Sequence, residues 1–210
     1  MKRSGTFSLR KIISGLSWPA LITEFFSVLL AVFLAFLLNE WRTDRSDHHQ
    51  ANLAMQAVEA ELGRNLAFLE ANSRFHDTLH RSLVRQIEML NRGEITSKEI
   101  VYIQEGIPLN LVKLNDNAWI ATRETQAIEH IPFELVRDLS EIYHDQEAYN
   151  ILVQAFYDNL FKNLDFYEGH EHSALYLLET LFGSIVQVED QLMKEYGKGL
   201  DKISGFLKNN

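Results

Sequence analysis

The chain has no cysteine, only three prolines and only ten glycines in 210 residues. Without thiols there is no disulfide framework, no cysteine nucleophile and no thiolate metal site. So few prolines and glycines cannot supply the many turns of a sandwich or barrel, which points to an all-α fold. Positive charge is also in short supply. Lys and Arg number 20 against 29 Asp and Glu, for a formal net charge of −9. The first 38 residues carry +3, so −12 falls on the remainder. A body of that sign is unsuited to DNA or RNA, whose phosphates need basic side chains, and to lying flat on anionic lipid. Also missing are a Gly-x-Ser-x-Gly motif, a Gly-rich phosphate loop, internal repeats and low-complexity tracts. No cofactor and no enzymatic activity are expected.

What the sequence does have is one long apolar run. Residues 21–38 hold thirteen Leu, Ile, Phe or Val in eighteen positions. On an insertion scale these contribute about −6 kcal/mol as an upper estimate, against about +3 for an acid at mid-bilayer and less off-centre, where Glu24 lies. Insertion wins. Residues 17–38 make about 33 Å of helix, matching a hydrocarbon core of about 30 Å. Trp18 and Trp41 bracket the run as interfacial aromatics do, and Pro19 falls in the tolerated first turn. A cleaved signal peptide would have a shorter apolar core and a small-residue cleavage site, whereas this run ends Phe-Leu-Leu-Asn-Glu-Trp. A soluble core helix would be shorter and keep a polar face.

Three segments follow: a basic cytoplasmic segment at 1–17, a transmembrane helix at 18–41 and an acidic helical ectodomain at 42–210. Lys2, Arg3, Arg10 and Lys11 precede the span, while Arg42 and Arg45 follow it. The larger cationic side belongs in the cytoplasm, which places the C-terminal body outside it, in the periplasm of a double-membrane bacterium. Within the span, Ser27, Ala31 and Ala35 form a small-residue stripe on which a second membrane helix could approach closely. Glu24 lies at its edge and either snorkels to the interface or pairs with a neighbouring span.

In the body, apolar residues recur three or four apart over 55–90, and Arg92-Gly93 supplies a helix stop. This helix could continue the span, with a break near 46–50 as an option. A short helix after Thr96 or Ser97 is expected next, then a loop to Asn115, then a short helix over 116–130 with Trp119 buried. Pro132 opens a long helix ending near 168–169. The last begins near His172 or Ser173, and Gly197, Gly199 and Gly205 predict fraying at its end. Three long helices plus one or two short ones pack as an antiparallel bundle.

Eight histidines raise the question of metal. His76 and His80 share a helix face, but the position after the first is Asp77 and no third ligand is evident. The Glu-x-x-His of a di-metal bundle occurs once, as Glu141 and His144, without a partner pair. His170 and His172 fall at a turn. A structural or surface role is the reading adopted for all of them, and no metal is expected. The aromatic residues of the last two helices, from Tyr143 to Tyr176, read as core, with an aromatic-lined pocket as the sharper alternative.

Glu24-Phe25 at the start of the span and Asn39-Glu40-Trp41 at its end form a pattern. It continues through 61-ELGRN-65, His76, 118-AWIATRETQAI-128, Pro132 and 143-YHDQ-146. Over roughly residues 20–150 the chain resembles a group of bacterial single-pass inner-membrane proteins known only as a domain of unknown function. Members often carry Thr-Gly-Ala where this chain has Thr125-Gln126-Ala127. The resemblance implies topology and no activity. The expected role is that of an accessory or scaffolding protein in the bilayer, working through a protein partner or self-association. A small-ligand sensory ectodomain signalling through a partner is the alternative, and a histidine-based metalloenzyme the third reading.

Overall fold

The computed structural model describes residues 18–96, 109–162 and 171–209. Every element in them is helical. Helix α1 runs Trp18–Asn91, α2 Asn117–Glu124, α3 Phe133–Lys162 and α4 Glu171–Asn209, with a 3-10 turn at Gln126–His130. The chain divides into two compact units, Met1–Asp47 and His48–Asn210. The expected short helix after Thr96 or Ser97 and the expected helix end near 168–169 fall outside the described residues.

In the first unit the described part is one helical stretch whose side chains are exposed on every face. The expected option of a break at 46–50 is not taken, because 39–50 contains neither proline nor glycine to cause one. Helix α1 ends where the sequence says. Gly93 takes φ +69°, its N–H donates to Leu90 O at 3.1 Å, and Glu94 N–H donates to Met89 O at 2.9 Å. This is the paired closure that a left-handed glycine allows.

The second unit is a three-helix bundle built on an alternating three-four spacing. On α1 the buried stripe is Ala51, Met55, Val58, Leu62, Asn65, Leu69, His76 and Leu83. On α3 it is Leu135, Leu139, Ile142, Gln146, Tyr149, Val153 and Phe156. On α4 it is Leu175, Leu178, Phe182, Ile185, Glu189, Leu192, Tyr196 and Ile203. Each stripe is a seam of average period 3.5, the spacing that keeps one face against its neighbours. Phe75, one of the apolar residues recurring over 55–90, is exposed, and the neighbouring His76 takes the core position instead.

Hydrogen bonds between helices give their directions. Asn65 bonds Gln146 and Glu61 bonds Tyr143, so α1 and α3 run parallel. His76 meets Glu189 and His80 meets Glu179, so α4 runs antiparallel to α1, and Tyr196 to Gln146 makes it antiparallel to α3 as well. Parallel neighbours require the intervening chain to return along the bundle, and it does. Leu109 meets His76, Asn115 meets Asn65, Ala118 meets Glu61 and His130 meets His48, in descending order along α1.

The helix expected over 116–130 is split. Thr125 is extended (φ −105°, ψ 161°), and its hydroxyl donates to Thr122 O, closing α2. Gln126 has no positive φ, so its side chain costs no backbone strain. Pro132 caps α3 rather than opening it: its carbonyl accepts from Leu135 and Val136. Nor does α4 break at its late glycines. It continues to Asn209, and Gly199 is a contact point where an added Cβ would lie 2.8 Å from Ile142 Cδ1.

Candidate functional site

The polar residues on the three seams define the feature of the bundle that periodicity alone does not explain. Between Leu109 and Asp116 the chain forms a strap without regular hydrogen bonding. Its six steps from Leu109 to Asn115 descend from His76 to Asn65, about 16 Å at 1.5 Å per helical residue, so the strap is drawn out, apart from Asn110 in the left-handed region at φ +50°. Leu109, Leu111 and Leu114 point inward and are buried. A buried extended chain without a partner strand would leave its backbone groups unsatisfied, at about 1–3 kcal/mol each.

Side chains from both flanking helices take the place of that partner. From α1, Asn65 Nδ2 donates to Asn115 O at 2.8 Å and its Oδ1 accepts from Asn115 N–H at 3.3 Å. From α3, Gln146 donates to Leu114 O and Asn115 O, and Asn150 both accepts from Leu114 N–H and donates to Leu114 O. Tyr157 donates to Leu111 O at 2.9 Å. Gln146 Oε1 then accepts from Asn65 and from Tyr196, so one amide ties all three helices to the strap.

Below the strap, Glu61 caps α2 from another helix. Asp116, at the N-cap position, makes no side-chain capping bond. The Glu61 carboxylate instead accepts from Ala118 N–H at 2.9 Å and Trp119 N–H at 3.4 Å, and from the Tyr143 hydroxyl at 2.8 Å. An anion at a helix N-terminus meets unsatisfied N–H groups and the positive end of the dipole. Trp119 then stacks on Tyr143, centroids 5.4 Å apart and rings within 4° of parallel.

Above it, His76 and Glu189 are buried, at 0 and 1% exposure. His76 Nε2 lies 2.8 Å from Leu109 O, and Nδ1 lies 2.9 Å from both Glu189 oxygens. A carbonyl only accepts, so Nε2 carries a proton, and one further proton lies between Nδ1 and the carboxylate. Tyr149 completes the cluster by donating to Glu189 Oε1 at 3.2 Å. Burial, and then the Glu61 and Glu189 carboxylates, push the Tyr143 and Tyr149 phenols well above their ordinary range, and burial does the same to Tyr196. These groups are sealed and internally hydrogen-bonded. Their chemistry is that of register: a strap and three helices fit at one mutual setting.

The residues singled out from sequence are not brought together. Glu24, Ser27, Ala31 and Ala35 are all exposed in the first unit, and the Ser27 hydroxyl donates back to Thr23 O on its own helix. His76 and His80 point to different partners, His80 meeting Glu179 at 3.1 Å where Gly183 lets α4 approach. Glu141 and His144 are exposed on α3. Among the described residues no three His, Asp or Glu are placed to share an ion. Tyr143, Tyr149 and Phe156 fill the core, Tyr157 is half-buried and Tyr176 is exposed. Glu61, Asn65 and Gln146, which organise the seams, fell within the stretches quoted for the resemblance but were given no role, and Glu189 was not singled out.

Open grooves lie on the surface. One of about 680 Å³ runs between the strap and α3, and another of about 420 Å³ runs between α3 and α4. Asp145 and Glu195 line the second; Gln191 donates to both, and burial raises the Glu195 carboxyl above its usual range. Comparison with protein families, with curated proteins and with solved structures gives no match.

Proposed function

We propose that the chain is a single-pass membrane-anchored protein whose helical unit works by contact with other proteins, as an accessory or scaffolding subunit rather than an enzyme. One observation carries this reading. Residues 18–41 form helix with apolar side chains exposed on every face, while the second unit buries its own apolar stripe. Apolar surface all round a helix is stable in lipid and unstable in water.

Two features support the anchor. Trp18 and Trp41 flank the run, and Arg45 lies over the Trp41 ring at 5.8 Å, a pairing suited to the headgroup boundary. Four basic residues precede the run and two follow it, which favours a cytoplasmic N-terminus and a periplasmic bundle. The resemblance given above supports a bacterial inner membrane. A contact role is supported by the inside of the bundle, whose polar groups are spent on one another, leaving the outer surfaces for recognition.

Alkaline-carbonate extraction of membranes, combined with reporters fused after Asn210, tests the reading. The expected result is retention in the pellet, with an active alkaline-phosphatase fusion and an inactive cytoplasmic reporter. Release into the supernatant would overturn the anchor, and the opposite reporter pattern would overturn the orientation.

A further inference from the structure

We propose that the groove between α1 and α3 is a peptide-binding site, closed in the resting chain by its own strap and taken over by an extended segment of another protein. The segment it fits carries leucine-sized apolar side chains at positions i, i+2 and i+5. The proposal rests on the contact reading above and adds an inner site to the outer surfaces.

The strap lies in the groove as a bound peptide would. Leu109, Leu111 and Leu114 are buried, whereas Asn110, Val112, Lys113 and Asn115 between and after them are exposed. The carbonyls of Leu109, Leu111, Leu114 and Asn115 are met by His76, Tyr157, Asn150, Gln146 and Asn65 at 2.8 to 3.2 Å. Those side chains belong to α1 and α3 and stay behind when the strap leaves. The grip is therefore a property of the groove. Bonds to the backbone read no side chain, so the three apolar positions carry the selection, as in other modes of extended-peptide recognition.

Three features make the strap the part that gives way. It belongs to no helix, so it can leave without breaking a helical ladder. Asn110 is held at φ +50°, a strain that a displacing segment with glycine at that position does not carry. Its edge is also open: Leu114, Asn115 and Asn150 line the solvent-filled groove of about 680 Å³, where an incoming segment meets Asn150 first. The three buried leucines keep the strap closed in most molecules, which lowers the apparent affinity for a competitor by the open fraction. Loosening the strap raises that fraction. It should therefore tighten binding, a sign that plain damage to the fold does not give.

The test titrates full-length protein in detergent micelles into a fluorescein-tagged peptide of residues 109–117, read by fluorescence anisotropy. Leu111→Ala loosens the strap and leaves the groove intact, and Leu111→Ser with Leu114→Ser loosens it further. Both proteins should bind the peptide more tightly than the parent, the double variant by about tenfold or more, with helical circular dichroism kept. A peptide carrying Leu109→Ser, Leu111→Ser and Leu114→Ser should not bind. Adding Asn150→Ala to the double variant should weaken peptide binding about fivefold, as for a lost backbone grip. No gain on loosening, equal binding of the serine-bearing peptide, or no loss with Asn150→Ala would overturn the site. Loss of helicity in Leu111→Ala would also overturn it, by making the strap an inseparable part of the core. Dimers of the loosened protein that the peptide does not dissociate would put a second copy's strap in the groove and overturn the partner segment. Carbonate extraction keeps the two readings apart. Protein that stays in the membrane pellet but fails to bind refutes the groove alone, whereas protein that washes off yet binds refutes the anchor alone.

Discussion

Residues 18–41 and residues 51–87 lie on one helix and keep opposite accounts. The first stretch is apolar on every face, and its hydroxyls fold back on their own helix: Thr23 donates to Pro19 O and Ser27 to Thr23 O. The second is apolar on one stripe only, and places Asn65 and His76 within that stripe. A helix meant for hydrocarbon satisfies its polar groups internally. One meant for a folded core can bury polar groups if other elements bring their partners, and here the strap, α3 and α4 do so. The difference lies in who supplies the second half of each hydrogen bond.

The largest effect is expected where that supply is cut. Glu189→Leu leaves His76 buried without a carboxylate and should cost about 3–5 kcal/mol, as broken buried pairs do. His76→Leu with Glu189→Leu should cost less than the two single changes summed, read as a chemical-denaturation cycle by circular dichroism. Additive losses would mean that the pair is not coupled. Next is Glu61→Ala, which removes three hydrogen bonds and the cap of α2, for about 3 kcal/mol. Trp119 fluorescence should shift as its stacking on Tyr143 loosens. An unchanged spectrum and midpoint would show that α2 needs no cap from α1.

The buried phenols make the stability of the second unit depend on pH. Folding holds the Tyr143, Tyr149 and Tyr196 phenols above their ordinary pKa, so the native state keeps protons that the unfolded chain releases. Stability is then fully present below about pH 10 and falls as pH rises beyond it, by up to about 4 kcal/mol per pH unit if all three ionise on unfolding. Tyr196→Phe should lessen that slope by about a third. Smallest is Glu195→Gln. Burial raises this carboxyl, so its ionised form weighs against the fold once pH passes the ordinary glutamate range. The variant should be slightly more stable than the parent at pH 7 and equal to it near pH 4, by thermal melts at both values. Equal melts at both would show that its burial carries no penalty.

Much of the fold was legible. The apolar run, the three-four stripes, the glycine stop at 93 and the buried Trp119 are local signals that the final structure keeps. The polar seam was not, because each member's partner comes from elsewhere in the chain. A trace of it was present nonetheless. His76 sits seven residues after Leu69 and seven before Leu83, and Gln146 lies between Ile142 and Tyr149 at spacings of four and three. Glu189 holds the same place between Ile185 and Leu192. A polar residue on an apolar stripe marks a buried partner, a rule that reading only the apolar members passes over. The strap was beyond reach: Leu109, Leu111 and Leu114 show no period that distinguishes it from a loop.

The proposed function puts the two stretches of α1 in different media, the first in lipid and the second in water. Single cysteines placed at 22, 29 and 36, and at 53, 60 and 74, can be labelled in reconstituted vesicles with a membrane-impermeant maleimide. The first three should stay unlabelled until detergent is added, while the second three should label at once in the outward-oriented fraction. Equal labelling of both sets in intact vesicles would mean that residues 18–41 are not in lipid.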